Sequence, residues 1–237
     1  GLYNQLTDYV SRTYKAAEKL SAQERVNVEF AMTILQRRMA SSLAALIISL
    51  KRRRELVLAG MIAGSPLAAV DEDAPEAERW EVEKAALGVT PAKTKEARAK
   101  EANRLAELIS LASEVQAEGT ELKLRKLKQI MEETGIRPDG KEKLLVFTEF
   151  KDTLDFLRAE FVQQGFRVTQ IDGSMPQDAR LRAEWEFEHR AQVMVATEAA
   201  GEGINLQFCS IMVNYDLPWT PTRLEQRMGR IHRYGQK

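Results

Sequence analysis

A single cysteine, Cys209, stands among the 237 residues. No internal disulfide framework can form, and a reducing compartment is expected. The two histidines, His189 and His232, are isolated from one another, and with one cysteine they cannot complete a zinc cluster. Long apolar runs are missing as well. The longest, such as Leu43 to Leu50, fall far short of the ~20 residues that a bilayer span requires. No basic, apolar, small-residue leader opens the chain. These shortages predict a soluble cytoplasmic protein with no membrane partner and no bound metal of its own. The first residue, Gly1, is not methionine, so a piece excised from a longer chain is expected. Net charge is absent too: 35 basic and 35 acidic residues balance to +0. That balance neither supports nor excludes nucleic acid, because a basic patch can sit inside a neutral total. No Ser-His-Asp or Cys-His arrangement has supporting context.

What is present divides into two halves. Residues 1–134 are rich in Ala, Leu, Lys, Arg and Glu at helical spacing, which predicts an all-α region. From Ala22 the positions Val26, Phe30, Ile34, Met39, Leu43, Leu46 and Leu50 outline one stripe of a long amphipathic helix, broken at Gly60, Gly64 and Pro66. Asp71 to Glu83 carry seven acidic residues and one proline and read as a solvated loop. A second helical pattern runs from Pro91 to Ala117 and stops at Gly119. Thr120 is placed to cap a further helix bearing Leu124, Leu127, Ile130 and Met131. The run Lys51 to Arg54 reads better as a solvated helix face than as a phosphate grip, and Trp185 better as core than as a stacking platform.

Residues 135–237 change period. Leu144 to Thr148 is a short apolar run, and Arg167 to Ile171, Gln192 to Ala196 and Ile211 to Val213 are further strand candidates. Helical stretches at Asp152 to Gln164 and Pro176 to His189 separate the first three. Strands alternating with helices predict a parallel α/β sheet flanked by helices. Ligands of such sheets sit beyond the carboxyl ends of the strands.

Two segments stand there. Thr197 to Leu206 contains Gly201 and Gly203, which allow a sharp turn and close approach of backbone to a ligand, although a plain tight turn uses the same residues. Gln226 to Arg233 follows a helix start at Thr220 and Pro221. Its arginines can form a solvated basic face or contact phosphate oxygens in bidentate fashion.

Gln226-Arg227-Met228-Gly229-Arg230-Ile231-His232-Arg233 resembles motif VI of superfamily 2 helicases. Thr197 to Leu206 resembles their motif V, and Leu144 to Phe150 their motif IV. Asp172-Gly173-Ser174, with Arg180 beyond, resembles the segment between the last two. Asp216 to Trp219 and Tyr234-Gly235-Gln236 point to the bacterial Swi/Snf-type branch. The resemblance covers residues 120–237; the helical half resembles that branch only loosely.

It implies a RecA-like second lobe over residues 135–237, trimmed near its end, preceded by a helical insertion over 1–134. It also implies part of an ATP-hydrolysing, double-stranded DNA translocase. Arg230 and Arg233 would be arginine fingers, with Gln226 organising the cleft. Gly203, Asn205 and Arg227 would lie at the nucleotide. Thr197, Thr148, Gly173 and Ser174 would face the DNA backbone. ATP and Mg²⁺ would be held mainly by a first RecA-like lobe of the same polypeptide, and a protein partner could dock on the helical region. Asn205 and Glu202 differ from the aspartate and arginine usual in the RNA-directed branch. Gly135 to Glu142 imitates a phosphate loop, but Glu142 replaces the Mg²⁺-binding hydroxyl and the segment precedes a strand, so the chain alone should not hydrolyse ATP. An RNA helicase lobe and a non-catalytic interaction domain are the alternative readings.

Overall fold

The computed structural model describes residues 1–60, 74–119, 121–201, 206–218 and 221–228. They fall into two units, Gly1–Glu121 and Leu122–Lys237.

The first unit is helical: α1 (Leu2–Ala17), α2 (Ala22–Ser41), α3 (Leu43–Ala59), α4 (Glu76–Ala86) and α5 (Lys95–Ala117). Helix α2 opens on a capping box, Ser21 Oγ accepting from the Glu24 amide while the Glu24 carboxylate accepts from the Ser21 amide. The single long helix expected from Ala22 is in fact two. Ser42 leaves helical geometry, and its hydroxyl accepts from the Ala45 amide to start α3. The stripe also shifts: Val26 is 57% exposed, while Val28, Met32 and Leu35 are buried. Gly60 ends α3 at a left-handed φ of 71°, a conformation that glycine adopts without steric penalty.

Much of the acidic stretch expected to be a loop is helix α4. Glu76 and Glu78 lie in its first turn, where the helix dipole favours negative charge. Trp80 is buried, and Glu83 is held by Arg37 Nη1 and Arg38 Nη2, each at 3.2 Å. These two arginines supply from another helix the neutralisation that the local sequence lacks.

The arginine run departs furthest from expectation. Lys51 and Arg52 are exposed, but Arg53 is 0% exposed. Its Nε donates to Tyr9 Oη (2.5 Å), its Nη1 to the carbonyls of Leu87 (2.9 Å) and Val89 (2.7 Å), and its Nη2 to Glu101 Oε1 (2.7 Å). One guanidinium thus ties α1, α3, α5 and the turn after α4 together. Burial pushes the Tyr9 hydroxyl well above the usual tyrosine range, so it stays protonated and donates onward to Glu101 (2.8 Å). Removing one member of a buried ion pair strands the other. Arg53→Met is therefore expected to cost about 3–5 kcal/mol, whereas Arg52→Ala should leave the midpoint nearly unchanged. Urea unfolding followed by Trp80 fluorescence, with Trp185 and Trp219 replaced by phenylalanine, tests the contrast.

The second unit begins at Leu122, so α6 (Leu122–Glu133) belongs to it and not to the helical half that ends at residue 134 in the sequence reading. The reason is packing: Leu127 and Met131 of α6 join the core beneath the sheet. Thr120 lies outside the described residues. The Gly135-to-Gly140 turn leads into β1 (Leu144–Phe147), followed by α7 (Lys151–Gln163), β2 (Val168–Ile171), α8 (Gln177–His189) and β3 (Val193–Ala196). A 3-10 turn (Glu198–Gly201), β4 (Ile211–Asn214) and α9 (Pro221–Met228) complete it. All pairings are parallel, in the order β2-β3-β1-β4. This is the expected parallel sheet flanked by helices.

Strands alternate their side chains between faces. Leu144, Val146, Val193 and Val195 meet α6 and α7 on one side, while Leu145, Phe147, Met194 and Ala196 meet α8 and Ala199, Ala200, Leu206 and Cys209 on the other. That double cover explains the unbroken apolar runs. Trp185, expected in the core, is 48% exposed on α8, stacked on His189 with ring centroids 4.7 Å apart.

The candidate site at the carboxyl edge of the sheet

The chain leaves β1 toward the α7 face and leaves β3 toward the α8 face. Adjacent strands whose continuations diverge in this way open a crevice at their carboxyl ends, the usual ligand position in open parallel sheets. Thr148 and Thr197 are the first residues beyond β1 and β3 and so flank that crevice; both are fully buried. Asp172-Gly173-Ser174 leaves β2 at the same edge, and Tyr215 to Pro218 leaves β4 there before α9. The described motif segments therefore share one edge of the sheet.

Thr148 Oγ1 donates to Asp216 Oδ2 (2.5 Å) and accepts from the Phe150 amide (3.4 Å). The Thr197 amide donates to the Ile171 carbonyl (3.0 Å). Asp172, almost fully buried, organises the next turn. Its Oδ1 accepts the amide (2.9 Å) and the hydroxyl of Ser174, and its Oδ2 accepts Lys151 Nζ (2.9 Å) and Gln170 Nε2 (3.4 Å). Ser174 is exposed, yet both of its protons go to Asp172. A backbone phosphate could claim one only by displacing that bond. Gly173 is partly exposed beside it.

Arg227 turns away from the nucleotide role that the resemblance implies for it. Its guanidinium is 1% exposed, and Nη1 donates to Asn214 Oδ1 (3.0 Å) and to the Asp216 carbonyl (2.9 Å). It also lies 5.1 Å from the Phe147 ring centroid, a cation–π distance. In this arrangement Arg227 braces α9 against the ends of β1 and β4. Gln226 precedes it on α9. Gly203, Asn205, Arg230 and Arg233, and Trp219 with them, lie outside the described residues.

Two groups at this edge carry no signal in the sequence. Lys123 of α6 donates to Asp216 Oδ1 (2.7 Å) across 93 residues of chain, and Lys151 reaches Asp172 across 21. Nothing local marks either lysine. Among the described residues no group of three His, Cys, Asp or Glu side chains is placed to hold a metal.

Burial alone would raise the Asp172 carboxyl pKa, but the hydrogen bonds from Ser174 and Lys151 outweigh it and hold the group below the usual carboxylate range. A carboxyl depressed in the folded state adds stability above its unfolded pKa of about 3.9, and that stability is lost as pH falls through the lower folded value. The stability gap between the wild type and Asp172→Asn should hold steady from neutral pH to about pH 5 and shrink below about pH 4. Chemical denaturation across that range reads it out, and a gap that widens in acid contradicts the assignment.

Residues 122–235 match the helicase conserved C-terminal domain. The uncharacterized ATP-dependent helicase YqhH of Bacillus subtilis is 47% identical over 96 residues, 40% of this chain and 17% of that protein. The DNA repair protein RAD5 of Cryptococcus neoformans is 33% identical over 121 residues, 49% of this chain and 10% of that protein. The ATP-dependent RNA helicase RhlB of Pseudomonas syringae is 33% identical over 101 residues, 42% of this chain and 25% of that protein. The chain thus spans a quarter or less of the length of these relatives. The crystal structure of the Pyrococcus furiosus Hef helicase domain overlays with a TM-score of 0.53 at 23% identity. It covers 87% of this chain and 36% of that one, a likeness of fold. Motif segments gathered on one sheet edge, the strand order and these likenesses agree: residues 122–235 carry the match to the helicase conserved C-terminal domain, on a RecA-like parallel sheet.

Proposed function

We propose that this chain is the second lobe of an ATP-dependent motor of the Swi/Snf type that translocates along double-stranded DNA. The observation that carries the reading is convergence. The residues after β1, β2, β3 and β4 meet along one edge, and α9, braced there by Arg227, leads directly to Arg230 and Arg233. In this reading the guanidinium groups of Arg230 and Arg233 reach toward the terminal phosphate of a nucleotide held by a first lobe. They neutralise charge that develops as that phosphoryl group departs, a contribution of about 10³–10⁵ in rate for arginine fingers. Gln226 orders the cleft, and Gly203 and Asn205 bring backbone and side chain close to the nucleotide.

ATP and Mg²⁺ belong mainly to the first lobe. The Gly135-to-Gly140 turn enters β1 at its amino end, opposite the site, and so is no substitute for a phosphate-binding loop. In this reading the chain alone is inactive. Gly173 and Ser174 line a track for the DNA backbone, which positions the duplex without reading its sequence, while Thr148 and Thr197, both fully buried, support that edge from beneath instead of touching phosphate as the resemblance implies. The helical unit is free in this scheme to grip DNA or to dock a protein partner.

The likeness to an RNA helicase favours a second reading, an RNA-directed lobe. Asn205, Glu202 and the Asp216-to-Trp219 segment weigh toward DNA. In the full-length parent, Arg230→Ala and Arg233→Ala should each lower nucleic-acid-stimulated ATPase by about 10³-fold or more with the fold intact. Duplex DNA should stimulate the wild type more than RNA does. Near-normal turnover in both variants removes the finger assignment, and stronger stimulation by RNA transfers the motor to the RNA branch.

A further inference from the structure

We infer that Asp216 is a positioning residue for the proposed motor, setting the attitude of α9 and hence of the arginines beyond it, and that Lys123 sets how firmly it does so. The inference rests on the reading above.

Asp216 is the meeting point of four elements. Its Oδ2 accepts Thr148 Oγ1 (2.5 Å) and the Glu149 amide (3.4 Å), both from the segment after β1. Its Oδ1 accepts Lys123 Nζ from α6 (2.7 Å). Its carbonyl accepts Arg227 Nη1 from α9 (2.9 Å). The side chain is nearly buried, so these bonds form where water competes poorly and electrostatic contacts are strong. Lys123 Nζ also lies 4.3 Å from the Tyr215 ring centroid, so the same ammonium grips two successive residues of the segment after β4.

Geometry gives these bonds a purpose beyond local cohesion. The last sheet-like bond of this segment is the Tyr215 amide to the Phe147 carbonyl, 2.8 Å. One residue later the carbonyl of Asp216 must present itself to Arg227, and the Asp216 carboxylate fixes the residue that carries it. With Asn214 Oδ1 it forms a two-point seat for one guanidinium nitrogen. If the carboxylate is lost, the seat can shift and α9 with it. Arg230 and Arg233 stand three and six positions beyond Arg227 in the sequence. A misplacement of about 1 Å at a reacting centre can cost about a hundredfold in rate.

The test uses the full-length parent with saturating duplex DNA, measuring kcat per folded molecule, KM for ATP and for DNA, and thermal unfolding. Asp216→Ala should lower kcat about ten- to a hundredfold while KM for DNA stays within about twofold. Asp216→Asn, which keeps an acceptor for Thr148, should recover part of that loss. Lys123→Met should lower kcat by about three- to tenfold at unchanged KM for DNA. A merely structural role would reduce the folded fraction and leave kcat per folded molecule unmoved; that result overturns the inference. Should Asp216→Ala not fold, Lys123→Met and Thr148→Val decide: reduced kcat in both supports the inference, and wild-type kcat in both overturns it. A wild-type parent without nucleic-acid-stimulated ATPase defeats the motor reading itself, an outcome distinct from an active wild type with indifferent variants.

Discussion

A positive charge stands inside the carboxyl edge of the sheet, and the segments after β1 and β4 are arranged around it. Burying a guanidinium is costly unless hydrogen bonds replace its water. For Arg227 the replacements include Asn214, the Asp216 carbonyl and the face of Phe147, all supplied by the adjacent strands β1 and β4 or the segment that follows β4. The Asp216 carboxylate is committed in turn to Thr148 and Lys123. The ends of two strands and two helices thus depend on one chain of polar contacts. It occupies the place where a helicase C-terminal lobe would need its motif segments held in register.

The helical unit reaches its own solution by the same physics. Arg53 is as deeply buried as Arg227, and its Nε and Nη atoms are taken up by Tyr9, Glu101 and two carbonyls from the turn after α4. In each unit an arginine, with its planar fork of donors, joins elements that apolar packing alone would leave less specifically aligned. The Glu83 pair with Arg37 and Arg38 follows the same rule and turns an acidic stretch into a helix.

Strands β1 and β3 were legible in the sequence to within a residue because a strand covered on both faces is apolar throughout, and no distant partner is needed to see it. The carboxyl-edge location of the site followed from that alternation. What stayed hidden depends on contacts between remote positions. Helix α4 needs Arg37 and Arg38, more than forty residues away. Arg53 looks like its exposed neighbours until Tyr9 and Glu101 are brought beside it. Helix α6 carries an apolar stripe that fits either core, and only the sheet decides which. The break at Ser42 is masked by Leu43 and Leu46, which continue the helical rhythm across it. At the site, Arg227 sits within a recognisable motif, but its inward turn is set by Asn214, Phe147 and Asp216.

Amide hydrogen exchange on Arg227→Met tests the bracing of α9 most directly, because methionine keeps the apolar stem and removes the guanidinium. Exchange should quicken in α9 and at Tyr215 and Asp216, while the amides of β1 and β3 keep wild-type protection. Unchanged protection in α9, or a uniform loss across the whole sheet, would contradict a brace at this position.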